Sequence, residues 1–116
     1  MAIMLTRLVL VAAVEVLMRT HGVYSINELR FIIRPLLRSY GMDSACLFGS
    51  HARGEADGSS DIDIILVGGE HFVPLDVFGF AEDLRRLTGK SVDAYEIREL
   101  DEGPFRDRAL SDAVAI

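Results

Sequence analysis

The chain has 116 residues and a mass of 12.8 kDa, room for one ordinary domain and not two. Half of the residues are hydrophobic and 26% are charged, which fits a folded domain with a real core. Twelve Lys+Arg against eighteen Asp+Glu leave a formal charge of −6. That argues against a dedicated nucleic-acid binder, which would carry a basic face. It leaves room for a nucleotide, which needs only a local site. Cys46 is the single cysteine, so an internal disulfide framework and a cysteine-rich zinc site are both excluded. The compartment expected is a reducing cytosol.

No apolar run reaches the roughly 18–20 residues needed to span a bilayer. The greasiest stretch, Leu8 to Val14, is bounded by Arg7 and Glu15. It is long enough for a signal-peptide core, but no small-x-small cleavage site follows before Met18 and Arg19. A helix over residues 3–20 fits better. Arg7, Glu15 and Arg19 then share one sector, with Glu15 and Arg19 paired four apart. So narrow a polar stripe asks for cover from this domain, a second copy or a partner, although Met18 also offers a later start. Residues 1–23 therefore read as an apolar helical extension and 24–116 as the domain proper.

Ser25-Ile26-Asn27-Glu28 has the form of a capping box. Ile26, Leu29, Ile32, Ile33, Leu36, Leu37 and Tyr40 follow at helical spacing. Pro35 is expected to kink this helix and Gly41 to stop it. Ala45 to Phe48 reads as a short buried strand in which Cys46 points inward. Residues 49–60 read as a polar loop with at most one helical turn. Asp61 to Val67 is a second strand, closed by Gly68-Gly69. Pro74 opens a helix whose inner face is expected to be Leu75, Phe78, Ala81, Leu84 and Leu87. Gly89 ends it. Ser91 to Ile97 is a third strand, and a last short helix is expected over Phe105 to Val114. The order gives an α/β domain with a small mixed sheet flanked by helices.

In Asp61-Ile62-Asp63-Ile64 the alternation of a strand sends both aspartates to one face. Two carboxylates so placed repel each other, with no basic neighbour in the strand. A divalent cation resolves the conflict, and oxygen ligands suit Mg²⁺ or Mn²⁺. A solvated strand end carrying two acids is the plainer alternative. The preceding strand ends in Phe48-Gly49-Ser50, followed by His51-Ala52-Arg53-Gly54. Gly49 lets a phosphate approach the backbone, Ser50 adds a hydroxyl donor and Arg53 a planar cation. A phosphate-binding turn at one strand end beside a cation site at the next suits a nucleoside triphosphate with its metal.

Gly49-Ser50, ten residues, then Asp61-x-Asp63 resembles the signature of nucleotidyltransferases of the DNA polymerase β superfamily. The longer string Gly-Ser-x-Ala-Arg-Gly-x-Ala-x-x-x-Ser-Asp-Ile-Asp, unbroken from Gly49 to Asp63, resembles its minimal nucleotidyltransferase (MNT) branch. The resemblance covers roughly residues 24–116. It implies the polymerase β-like nucleotidyltransferase fold, Mg²⁺ on Asp61 and Asp63, and a third carboxylate on a later strand, for which Asp93 is the candidate. Asp93 would complete the metal site and help deprotonate the attacking hydroxyl. Gly49 and Ser50 would hold the β- and γ-phosphates of ATP, while Arg53 either touches phosphate or pins the loop.

The chain is too short for a further substrate domain, so its acceptor surface must come from another protein or another copy. MNT proteins are commonly paired with a helical HEPN-class toxin. The resemblance implies an antitoxin that transfers AMP from ATP to a tyrosine hydroxyl of that partner. Two alternatives stay open: an antitoxin that masks its partner without catalysis, and a small-molecule nucleotidyltransferase completed by dimerisation. Direct nucleic-acid binding and membrane attachment are not expected. His51 and Lys90 read as loop and surface side chains. Arg85, Arg86 and Arg98 read as solvated charges, and Tyr95 as a core or surface residue on the face of Asp93.

Overall fold

The computed structural model describes residues 22–116. The helix expected over residues 3–20 lies outside the described residues. Helix α1 spans Ile26–Ser39 and begins at the capping box read from the sequence. Glu28 N–H donates to Ser25 Oγ at 3.1 Å, and Ser25 N–H donates to Glu28 Oε1 at 3.0 Å. Such a cap is worth about 1 kcal/mol. Leu29, Ile32, Ile33, Leu36 and Leu37 are buried on one face. The helix runs unbroken through Pro35 and ends at Tyr40.

Strand β1 spans Ser44–Phe48 and leads directly into a short helix, α2, at Gly49–Arg53. The segment expected to be mostly loop thus begins with a helical turn. Strand β2 is Ile62–Val67, helix α3 is Leu75–Thr88, and strand β3 is Val92–Glu96. A 3-10 turn at Ile97–Glu99 and helix α4 at Pro104–Asp112 follow. The described chain closes with a two-residue strand, β4, at Val114–Ala115. The sheet order is β3-β2-β1-β4. β2 runs antiparallel to β1 and parallel to β3, while β4 runs antiparallel to β1.

One face of the sheet is covered by α1 and α3. Ile62, Ile64 and Leu66 of β2 pack there with Ile32, Ile33, Phe80 and Leu84, all fully buried. Each such side chain contributes roughly 1.5–3 kcal/mol on leaving water. The other face carries a smaller cluster of Phe48, Ile65, Leu100 and Ala109 beneath α4. Cys46 is half-buried against this second cluster.

Two expectations are corrected. The inner face of α3 is Val77, Phe80, Leu84 and Thr88, whereas Leu75 and Phe78 are 74% and 73% exposed. The helix carries two overlapping apolar stripes, and close packing on α1 selects between them. A Cβ on Gly79 would lie 2.8 Å from Tyr40 Oη, and the Tyr40 and Phe80 rings meet edge-on at 6.0 Å. The last helix stops at Asp112, and Val114 belongs to β4. That strand is too short for any alternation; it exists because Ala115 pairs with Cys46 and its carbonyl accepts from Arg30. Arg98 is exposed, as expected, and Lys90 lies at the surface; both also hold specific partners. Lys90 Nζ donates to the carbonyls of Gly22 and Gly58. Arg98 pairs with the buried Glu96 and lies over the Phe72 ring.

Candidate active site

The sheet brings the predicted residues together at one end. In the register of β2 and β3, Asp63 stands directly opposite Asp93. In the register of β1 and β2, Asp63 stands opposite Phe48, the residue before Gly49. Asp61 lies just before β2, exposed to solvent. Asp63 is half-buried, and Asp93 is exposed.

The electrostatics follow from this crowding. The Asp63 carboxyl is pushed up from 3.8 to about 6. Burial is the largest cause; the charges of Asp93 and Asp61 add to it, as does a hydrogen bond with Asp93. Arg53 opposes the rise. Like charges held this close cannot both ionise freely. Among the described residues, no three His, Cys, Asp or Glu side chains converge into a preformed metal shell. The donor set nonetheless suits Mg²⁺, which takes one or two carboxylates and fills its remaining positions with waters and substrate phosphates.

Gly49 roofs this cluster. Its φ is +68°, and a Cβ there would lie 2.3 Å from Asp63 Oδ2. The backbone conformation disfavours most side chains, and a Cβ would also displace the Asp63 carboxylate. Ser50 is half-buried in the first turn of α2. The helix ends at Gly54, whose N–H donates to the His51 carbonyl. Glu55 N–H donates to the Ser50 carbonyl at 2.9 Å. Arg53 donates to Glu55 at 3.0 Å and to Asp112 of α4 at 2.9 Å. Of its two expected roles, the structure displays loop pinning.

The loop from α2 to β2 is also organised. Asp57 accepts from the N–H and hydroxyl of Ser59 at 2.8 and 2.7 Å, which holds its carboxyl below the usual range. One residue, His51, differs from its sequence reading. His51, expected to be a loop side chain, is 4% exposed, and its Nδ1 lies 3.1 Å from the Asp61 carbonyl oxygen. Burial pushes its pKa down. Nothing in its local pattern announced this, because position 51 becomes inward-facing only once α2 forms. Tyr95 joins Phe48 and Phe105 in a three-ring cluster, with Phe105 edge-on at 5.6 Å from Tyr95 and 6.0 Å from Phe48.

A family described as nucleotidyltransferase domain matches residues 29–116. The chain belongs to the nucleotidyltransferase domain family. The match spans the whole of the site. The nucleotidyltransferase domain is 36% identical, over 92 residues, to a proposed protein adenylyltransferase of Methanocaldococcus jannaschii, MJ0435. That alignment covers 79% of this chain and 98% of the relative. A solved structure of a proposed minimal nucleotidyltransferase is 28% identical, with a TM-score of 0.65, covering 80% of this chain and 97% of the other. A chain from the complex of tri-AMPylated Shewanella oneidensis HEPN toxin with MNT antitoxin is 21% identical. Its TM-score is 0.55, over 78% of this chain and 68% of the other. At that identity the likeness carries the fold alone. The four-stranded mixed sheet is thus the sheet of a nucleotidyltransferase, and the expected fold class holds.

Proposed function

We propose that this nucleotidyltransferase domain is a Mg²⁺-dependent protein adenylyltransferase. It transfers AMP from ATP to a tyrosine hydroxyl of a HEPN-type partner and so acts as an antitoxin. The observation that carries the reading is the pairing of Asp63 with Asp93 beneath Gly49, with the Asp63 carboxyl raised to about 6 first by burial and then by its acidic neighbours. A surplus of negative charge held in place across two strands is a site awaiting a cation. The relationship to MJ0435 supports the chemistry, and the motif from Gly49 to Asp63 supports the antitoxin class.

In this reading Asp61, Asp63 and Asp93 hold the metal. The bound metal supplies positive charge at the α-phosphate and the leaving pyrophosphate. Gly49 leaves the backbone bare so that the β- and γ-phosphates can approach, and Ser50 donates its hydroxyl to them. Asp93, the more exposed of the paired carboxylates, accepts the proton of the attacking tyrosine hydroxyl. The tyrosine oxygen bonds to the α-phosphorus as the bond to the β-phosphate breaks. Arg53 holds the turn in place through Asp112. Catalysis is then mostly positioning and electrostatics.

The test is incubation with α-³²P-ATP and Mg²⁺, with and without the product of a neighbouring HEPN-like gene. Label is expected on that partner, and none with Asp61→Asn/Asp63→Asn. A stable complex without label, or neutralisation that survives the double substitution, would overturn the catalytic reading in favour of masking.

A further inference from the structure

We propose that His51 is a positioning residue for Asp61, holding the backbone from which that carboxylate is presented to a divalent cation. The inference rests on the metal-dependent reading above. His51 occupies the first unspecified position of the Gly49–Asp63 string, between Ser50 and Ala52. Its ring is buried, and its Nδ1 faces the Asp61 carbonyl at 3.1 Å. A carbonyl only accepts, so Nδ1 carries the proton and donates.

That bond anchors the Asp61 carbonyl just ahead of the ladder. The ladder of β2 begins one residue later, where Ile62 N–H donates to the Ser91 carbonyl at 2.9 Å. Upstream, the loop is held at Gly58 by Lys90 Nζ at 2.6 Å and at Asp57 by its serine turn. Between Gly58 and Ile62, His51 is the group reaching the loop from α2. The bond therefore ties the segment beside the phosphate turn to the first metal carboxylate, ten residues away in sequence. It sets the spacing between the two halves of the site. Partners that orient metal ligands without touching the metal typically change metal affinity when removed.

The test uses the full chain and Mn²⁺ as probe, read by the electron paramagnetic resonance of the free ion. An asparagine places its amide nitrogen where Nδ1 stands; a glutamine places it where Nε2 stands. His51→Gln is expected to weaken Mn²⁺ binding about tenfold or more, while His51→Asn stays within about threefold of the parent. Circular dichroism checks that both variants are folded. In an Asp61→Asn background the glutamine change is expected to cost Mn²⁺ binding nothing further, and transfer is expected to lose kcat with His51→Gln and regain it with His51→Asn. Equal Mn²⁺ affinity of the two His51 variants, or an undiminished effect in the Asp61→Asn background, would overturn the proposal and leave the function standing. A parent chain that binds no Mn²⁺ with or without a non-hydrolysable ATP analogue would overturn both.

Discussion

On one side of β2, Ile62, Ile64 and Leu66 are fully buried against α1 and α3. On the other, Asp63 stands opposite Asp93, and only the next row down, Ile65, returns to apolar packing beneath α4. The same six residues thus serve a deep core and a strained polar site, separated only by the alternation of a strand. The first face gains from every side chain it buries. The second holds a carboxyl in a place where its charge is unwelcome. Stability concentrated on one face lets the other carry a functional cost.

That contrast can be broken most sharply at the carboxylates. Asp61→Asn/Asp63→Asn is expected to lower AMP transfer by about 10⁴-fold, roughly 5.4 kcal/mol of barrier, with an unchanged circular dichroism spectrum. Transfer at near parental rate would mean that the polar face is not the site. Phe80→Ala probes the opposite face and should destabilise by about 3–5 kcal/mol, measured by urea unfolding. A much smaller loss would mean that the core is less dense than its burial implies.

Asp63→Asn alone sharpens the comparison because it should stabilise the metal-free protein at pH 7, by about 1–2 kcal/mol after allowing for partial solvent access. The sign follows from the shift. The folded value of about 6 lies above the ordinary 3.8, so folding favours the protonated form. The associated stability is full below about 3.8 and is lost as pH rises through about 6. Transfer runs the other way, since it needs the ionised carboxylate. A pH series of urea melts on the parent and on Asp63→Asn should agree below about 3.8, part between there and about 6, and hold a constant difference above. The smallest effect is expected for Asp112→Ala, which frees Arg53 from α4 but leaves the melting temperature unchanged.

The helix α1 was legible because its cap and its periodicity agree, β1 and β2 because each is a short, mostly apolar run bounded by turn residues, and β3 because Val92, Asp93 and Ala94 alternate apolar and polar. The Gly49–Asp63 spacing was legible because close backbone approach and paired acids are properties of local sequence. The inner face of α3 was not, since Leu75 and Phe78 are as apolar as Val77 and Phe80, and packing on α1, with Gly79 fitted against Tyr40, chooses between them. The strand β4 depends on pairing across the whole chain. The burial of His51 depends on a five-residue helix whose formation the surrounding polar residues do not announce.

The bare backbone of Gly49 has a consequence for sorting descendants of this fold. Two demands fall on the position: a left-handed φ, and room for Asp63 Oδ2. The second vanishes if residue 63 loses its carboxylate, and the first alone is one that asparagine can meet. A relative with a side chain at 49 should therefore also lack an acid at 63. Such a chain would have kept its surface and abandoned its chemistry, and the two positions read together would separate catalysts from mere binders.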